Sequence, residues 1–215
     1  MGGRAGRGRR RARLLAGLRW GAVALLLSLL ALDWLFPPPL PTARDTSAVV
    51  VARDGTPLRA FADAEGVWRH PADPDTVSPL YLEALLTYED RWFHRHPGVN
   101  PVALARAGWH WLRAGRIVSG GSTLTMQVAR ILEPHSRTPW GKARQMLRAL
   151  QLEAHLSKRE ILTLYLERAP FGGTIEGVEA ASWAYLGKPA SRLSRAEAAL
   201  LAVLPQAPSR LRPDR

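Results

Sequence analysis

From residue 79 onward, apolar side chains recur at spacings of three and four, the pattern of helices that bury one face. The pattern and its breaks predict helices over about 79–92, 101–114, 123–132, 140–156, 158–168, 176–186 and 195–204, with Gly120-Gly121 and Gly172-Gly173 among the punctuation. Two of these helices open on a capping box, Ser157 with Glu160 and Ser194 with Glu197, in which the serine oxygen accepts the backbone N–H three residues on. Upstream the period changes. Ala48–Ala52 and Pro57–Phe61 flank Arg53-Asp54-Gly55-Thr56, and Asp-Gly between apolar runs predicts a strand, a turn and a second strand. Pro37, Pro38, Pro39 and Pro41 forbid helix before that hairpin and favour a stiff extended spacer.

Residues 14–36 are apolar at all 23 positions except Arg19, Ser28 and Asp33. A hydrocarbon core about 30 Å thick needs about 20 helical residues, so this stretch is long enough to span. Arg19 and Asp33 fall near its ends, where they reach headgroups, and Trp20 and Trp34 sit where amphipathic rings prefer to lie. A cleaved signal peptide would need a small-x-small site before Pro37, and none is evident. The chain is thus expected to divide into a basic cytoplasmic tail (1–13), a transmembrane signal anchor (14–36), a proline-rich linker (37–47) and a globular domain (48–215). That domain is expected to be mainly α-helical with a small β element at its membrane side.

Charge adds direction to this layout. The 215 residues carry a formal +12. Arg4, Arg7, Arg9, Arg10, Arg11, Arg13 and Arg19 precede residue 20 with no acidic residue among them, leaving 23 basic against 18 acidic residues beyond, a net +5. The arginine cluster places the N-terminus in the cytoplasm and the rest of the chain outside. With a membrane helix beside it, anionic lipid accounts for this tail better than nucleic acid does, so no nucleic-acid partner is expected. Cysteine is absent, which excludes disulfides, thiolate metal sites and a cysteine nucleophile.

Three polar clusters could carry chemistry. The first, Tyr88-Glu89-Asp90-Arg91-Trp92-Phe93-His94-Arg95-His96-Pro97-Gly98, leaves one helix and turns toward the next. If the helix runs on to residue 92, Glu89 and Phe93 share a face, and the ring partly desolvates a carboxylate that could then accept a proton near neutral pH. The bland alternative is a solvated carboxylate at a helix end. An arginine between His94 and His96 disfavours a metal, and a hydrogen bond within the loop is the simpler use of a histidine here. The second cluster, Gly120-Gly121-Ser122-Thr123-Leu124-Thr125-Met126-Gln127, is a glycine-rich turn opening a helix, either an anion-binding N-terminus or a plain capped turn. The third is the helix from Trp140 to His155, where Lys142, Arg144, Gln145 and Arg148 form a basic band opposite an expected core face of Ala143, Met146, Leu147 and Leu150. Such donors suit a pyrophosphate.

Together and in this order, the clusters resemble the glycosyltransferase family 51 domain, the peptidoglycan polymerase of bifunctional penicillin-binding proteins. Glu89-Asp90-Arg91-Trp92-Phe93-His94-Arg95-His96-Pro97-Gly98 fits that family's Glu-Asp-x-x-Phe-x-x-His-x-Gly, and Gly120 to Gln127 fits its Gly-Gly-Ser-Thr-Ile-Thr-Gln-Gln. Further matches run from Ser157-Lys158 through Phe171-Gly172 and Gly177-Val178-Glu179-Ala180-Ala181 to Pro205-Gln206-Ala207-Pro208-Ser209. Three positions depart from the family pattern: Gln145 stands for its second active-site glutamate, Met126 for a glutamine and Glu167 for an asparagine.

The resemblance implies a lysozyme-like helical lobe on the outer face of a bacterial inner membrane, with Val102 to Val118, including Trp109, Trp111 and Ile117, dipping into the lipid. It implies polymerisation of lipid II into a nascent glycan strand, by inverting transfer with loss of undecaprenyl pyrophosphate. Glu89 would be the general base. Asp90, Phe93, His96, Gly120, Gly121, Ser122, Thr123, Thr125, Gln127, Lys142, Arg144, Gln145 and Arg148 would line or bind substrate. A divalent cation, Mg2+ or Mn2+, is compatible with the pyrophosphate, and other cell-wall synthases are compatible partners. Penicillin-binding halves use Ser-x-x-Lys and Lys-Thr-Gly, and neither occurs here, so transpeptidation is not expected and the domain is expected to be truncated at its C-terminal end. Two alternatives stay open: a lysozyme-like glycan hydrolase, and a weakly active or inactive membrane-held glycan-binding fragment.

Overall fold

The computed structural model describes residues 16–17, 19–21, 23–24, 27–28, 30–31, 33–41, 47–53, 57–115, 121–136, 138–211 and 213. The arginine-rich tail, the hairpin turn at Asp54-Gly55-Thr56, Ile117, Val118 and Gly120 lie outside them. The chain forms two units, residues 1–38 and residues 39–215.

In the first unit every described position from 16 to 35 is helical, and the Ser28 hydroxyl donates to the Ala24 carbonyl at 2.9 Å, satisfying its polar group on its own helix. Among the described residues no helix is long and apolar enough to cross a membrane; Leu18, Ala22, Leu25, Leu26, Leu29 and Leu32 are outside that description.

The second unit begins with the expected hairpin, β1 (Val49–Val51) antiparallel to β2 (Pro57–Ala60), with Val49 opposite Ala60. A further sheet was not foreseen. Here β5 (Ile175–Glu176) lies between β4 (Pro170–Gly172), antiparallel to it, and β3 (Trp68–Arg69), parallel to it. Strands of two or three residues are too short for alternation to register in sequence. Side chains fix this sheet: the Arg69 guanidinium meets Glu176 at 2.7 Å and Asp63 at 3.1 Å, so one largely buried cation holds the start of the domain to residues over a hundred positions away.

Among the described residues the seven expected helices form, α1 (Pro79–Glu89), α2 (Pro101–Ala114), α3 (Leu124–Leu132), α4 (Pro139–His155), α5 (Lys158–Arg168), α6 (Val178–Leu186) and α7 (Arg195–Val203), and a short α8 (Pro208–Leu211), which was not expected, follows them. Both capping boxes form, Glu160 and Glu197 each accepting the backbone N–H of its serine at 2.7 Å. Buried Ile161, Leu162, Tyr165 and Leu166 make α5 the central rod; Leu124, Met126 and Val128 of α3, Tyr81 and Leu85 of α1 and Leu201 of α7 share its core.

Two expectations are corrected. Helix α1 ends at Glu89, not 92: Asp90 leaves helical geometry (φ −159°, ψ 74°) and Phe93 enters a separate 3-10 turn, buried in the core, so Glu89 and Phe93 do not share a helix face. On α4 the buried stripe is Gly141, Gln145, Ala149 and Leu152, while Leu147 and Leu150 are exposed. Close approach explains the choice. A Cβ on Gly141 would stand 2.3 Å from the Ser136 carbonyl, and one on Gly98, at φ +84°, would stand 2.6 Å from that of Ala149. Small residues at these points let α4 lie this near its neighbours, so Leu147 and Leu150 face outward while Met146 still packs partly against the core.

Candidate active site

Glu89 is the last residue of α1 and is half-buried. Each of its carboxylate oxygens accepts one neutral amide: Gln127 Nε2 of α3 donates to Oε2 at 2.6 Å, and Gln206 Nε2, from the 3-10 turn Leu204–Gln206, donates to Oε1 at 3.0 Å. Every such oxygen has a second lone pair, so the carboxylate is oriented and can still accept a proton. Among the described residues no basic side chain is bonded to it, and the two amide dipoles hold the charge.

The next residue builds the wall. Asp90 is buried; it accepts the Leu124 N–H at 2.9 Å, the first of α3, and is bonded to His96 Nε2 at 2.9 Å. Its charge is thus spent at a helix N-terminus, where a carboxylate is favoured. Thr123 caps the same helix, accepting from Met126 N–H at 3.1 Å and donating to the Gly98 carbonyl. The glycine-rich turn is accordingly capped from within, since these N–H groups are given to Asp90 and Thr123. Thr125 is fully buried and donates to Glu153 at 2.6 Å; Lys158 joins that carboxylate at 2.7 Å and lies 4.6 Å over the Phe93 ring. Asp90, Phe93, His96, Thr123 and Thr125 therefore form the frame beneath Glu89.

What stays accessible is a second, cationic feature. Lys142 of α4 donates to Ser122 Oγ at 2.5 Å and to Gln145 Oε1 at 3.1 Å, both neutral acceptors. Partial burial, with the nearby charge of Arg130 adding to it, pushes its ammonium below the ordinary lysine range. Gln145 is itself buried; its Nε2 donates to the Met126 carbonyl at 2.5 Å and ties α4 to α3, while its Oε1 accepts from Lys142 on its own helix. Arg144 and Arg148 both pair with Glu133, the C-cap of α3; Arg148 Nε lies 2.6 Å from its Oε2. Gly121 and Ser122 border Lys142 at intermediate exposure, and a Cβ on Gly121 would press on Ala107 at 3.2 Å.

Sequence reasoning gave no role to Gln206, Glu133 or Arg130. Gln206 lay in a matched motif, Pro205-Gln206-Ala207-Pro208, but nothing local in that string points to a carboxylate 117 residues earlier. A shallow groove of about 450 Å³ lined by Leu80, Glu83, Ala84, Thr87, Tyr88 and Arg195 opens beside α7. Leu80, Glu83, Ala84 and Thr87 lie around α1 away from Glu89 at about 100° per residue, whereas Tyr88, bonded to Gln206, stands between the groove and the site. Among the described residues no cluster of three or more His, Asp or Glu could hold a metal ion. Around Lys142 the donors are an ammonium, a hydroxyl and an amide, a set that fits an anion and not a divalent cation.

The model of the transglycosylase family matches residues 54–215. The chain belongs to the transglycosylase family. It is 66% identical over 191 residues to penicillin-binding protein 1C of Escherichia coli (strain K12), covering 89% of this chain and 25% of that protein. It is 38% identical over 213 residues to penicillin-binding protein 1A of Pseudomonas aeruginosa, covering 94% of this chain and 26% of that one. A biosynthetic peptidoglycan transglycosylase of Laribacter hongkongensis is 36% identical over 195 residues, 87% of this chain and 85% of its own length. The chain therefore spans about a quarter of the first two relatives and most of the third. The motif resemblance to a transglycosylase is borne out, as is the mainly helical domain with small sheets.

Proposed function

We propose that this chain is a peptidoglycan glycosyltransferase that polymerises lipid II into glycan strands on the outer face of a bacterial inner membrane. The observation that carries the reading is the pairing of an oriented, half-exposed carboxylate, Glu89, with a partly desolvated ammonium, Lys142, whose bonded partners among the described residues are the neutral Ser122 and Gln145. Both are fastened to the first turns of α3, through Gln127 and Ser122. Acid–base chemistry and an anion are thereby served side by side.

In this mechanism Glu89 removes the proton from the 4-hydroxyl of the acceptor sugar as that oxygen attacks the anomeric carbon of the donor. The new C–O bond forms from the face opposite the leaving group, which inverts the centre. The donor's bond to pyrophosphate breaks, its electron pair leaves with the undecaprenyl pyrophosphate, and the charge that develops falls to Lys142. Because Lys142 has a glutamine rather than a carboxylate at position 145, none of its charge is neutralised there before substrate arrives. No metal-dependent step is needed. Exposed Arg144, with Arg148 and Glu133 beside it, extends the basic surface for the second phosphate.

Membrane residence is part of this proposal. The apolar stretch at residues 14–36 supplies the anchor, and α2 supplies a lipid-facing surface: Val102, Trp109 and Leu112 are exposed, with the Arg113 guanidinium 5.6 Å over the Trp109 ring. A helix that exposes apolar and cationic side chains together suits the headgroup boundary. The test is incubation of the detergent-solubilised chain with labelled lipid II, with purified sacculi in parallel. Polymer with release of undecaprenyl pyrophosphate supports the reading; degraded sacculi would identify a hydrolase, and binding without product a scaffold.

A further inference from the structure

Gln206 sits between two side chains of α1. The Tyr88 hydroxyl donates to its Oε1 at 3.1 Å, and its Nε2 donates to Glu89 Oε1 at 3.0 Å. The carboxylate settles which way the amide faces, because the reversed orientation would set a carbonyl oxygen against it, and the tyrosine hydroxyl then donates to the amide oxygen. Gln127 serves the other oxygen from α3. Glu89 is thus fixed about both its oxygens by residues from two separate elements, and only the one on the 3-10 turn carries its own outer support. Gln206 and Tyr88 are exposed, so their bonds are not demanded by the core.

We propose that Gln206, held by Tyr88, is a positioning residue for the general base: it aims the Glu89 carboxylate at the acceptor hydroxyl. The inference rests on Glu89 being that base. A donor to a carboxylate stabilises the charged form, so its loss raises the pKa of the acid. The other ionisable groups around Glu89 do not imitate this effect. Tyr81 on α1 and Tyr165 on α5 are phenols that burial keeps neutral far beyond the working range. Asp90 is paired with His96, Arg91 follows in the chain, Lys142 lies near the start of α4 and Arg130 in the last turn of α3, all unchanged by substitution at 206.

The test uses the full chain in detergent with lipid II, reading kcat/KM from pH 5 to 9 for the unaltered protein, Gln206→Ala, Gln206→Glu, Tyr88→Phe and Glu89→Gln. In parallel, carboxyl-13C NMR titrates Glu89, a readout that needs no turnover. Gln206→Ala is expected to move the acid limb, and the Glu89 titration with it, upward by about half to one pH unit. Gln206→Glu, which sets a second carboxylate against the first, moves both further, and Tyr88→Phe moves them less, with melting temperature held in all three. An unmoved titration and limb, or equal loss at every pH, overturns the proposal while an inactive Glu89→Gln leaves the base assignment standing. Polymer from Glu89→Gln would overturn that assignment and this proposal with it.

Discussion

Lys142 makes the sharpest statement at the scale of single residues. Its ammonium is partly desolvated and lies near the charge of Arg130, so it is less costly to deprotonate than an ordinary lysine; among the described residues it is bonded to the neutral Ser122 and Gln145. The sign follows directly. Charge is present below its pKa and lost above, and a lowered pKa brings that loss to lower pH. The alkaline limb of kcat/KM is therefore expected below the usual lysine value of about 10.4. Lys142→Arg should abolish that limb within the measurable range, because guanidinium does not titrate there. A pH–rate profile of both proteins checks it, and an identical limb in the arginine variant would remove Lys142 from the account. Glu89, Lys142 and the glycine-rich turn were legible in the sequence because they are short strings of unusual polarity. Gln206 was not, since its meaning lies in a contact made across 117 residues.

Among the elements, α4 carries the most consequence. Its buried stripe of Gly141, Gln145 and Ala149 brings it close enough to meet the loop at Gly98, and that closeness delivers Lys142 to the start of α3. Gly98→Ala adds a methyl 2.6 Å from the Ala149 carbonyl at a backbone angle of +84°. It is expected to cost at least about 2 kcal/mol, which urea unfolding would measure. A stability unchanged within error would mean the two segments can separate freely. Where a capping box marks the start, at Ser157 and Ser194, the helix begins where the sequence placed it, whereas the end of α1, with no such signal, fell three residues early. Which face of α4 turned inward was not: apolar count favoured Leu147 and Leu150, but steric closeness chose the small residues. The sheet of β3, β4 and β5 escaped for a related reason, being held by Arg69, Asp63 and Glu176 rather than by a run of alternating side chains.

For the whole molecule, the proposed topology rests on the distribution of charge and apolar length. Seven arginines before residue 20, the last of them inside an apolar stretch at 14–36, are the basis for proposing a cytoplasmic N-terminus. The lack of any cysteine makes this simple to examine. Ala5→Cys should resist a membrane-impermeant thiol reagent in intact spheroplasts, whereas Pro213→Cys should react; the opposite pattern would invert the topology. The central claim is the role of Glu89, and the direct measurement is the rate of lipid II polymerisation by the full chain beside its Glu89→Gln variant, matched for folding by circular dichroism. A general base contributes about 100-fold to 10,000-fold, so the variant is expected to lose at least about 100-fold in rate while retaining lipid II binding. Equal rates from the two proteins would contradict the account.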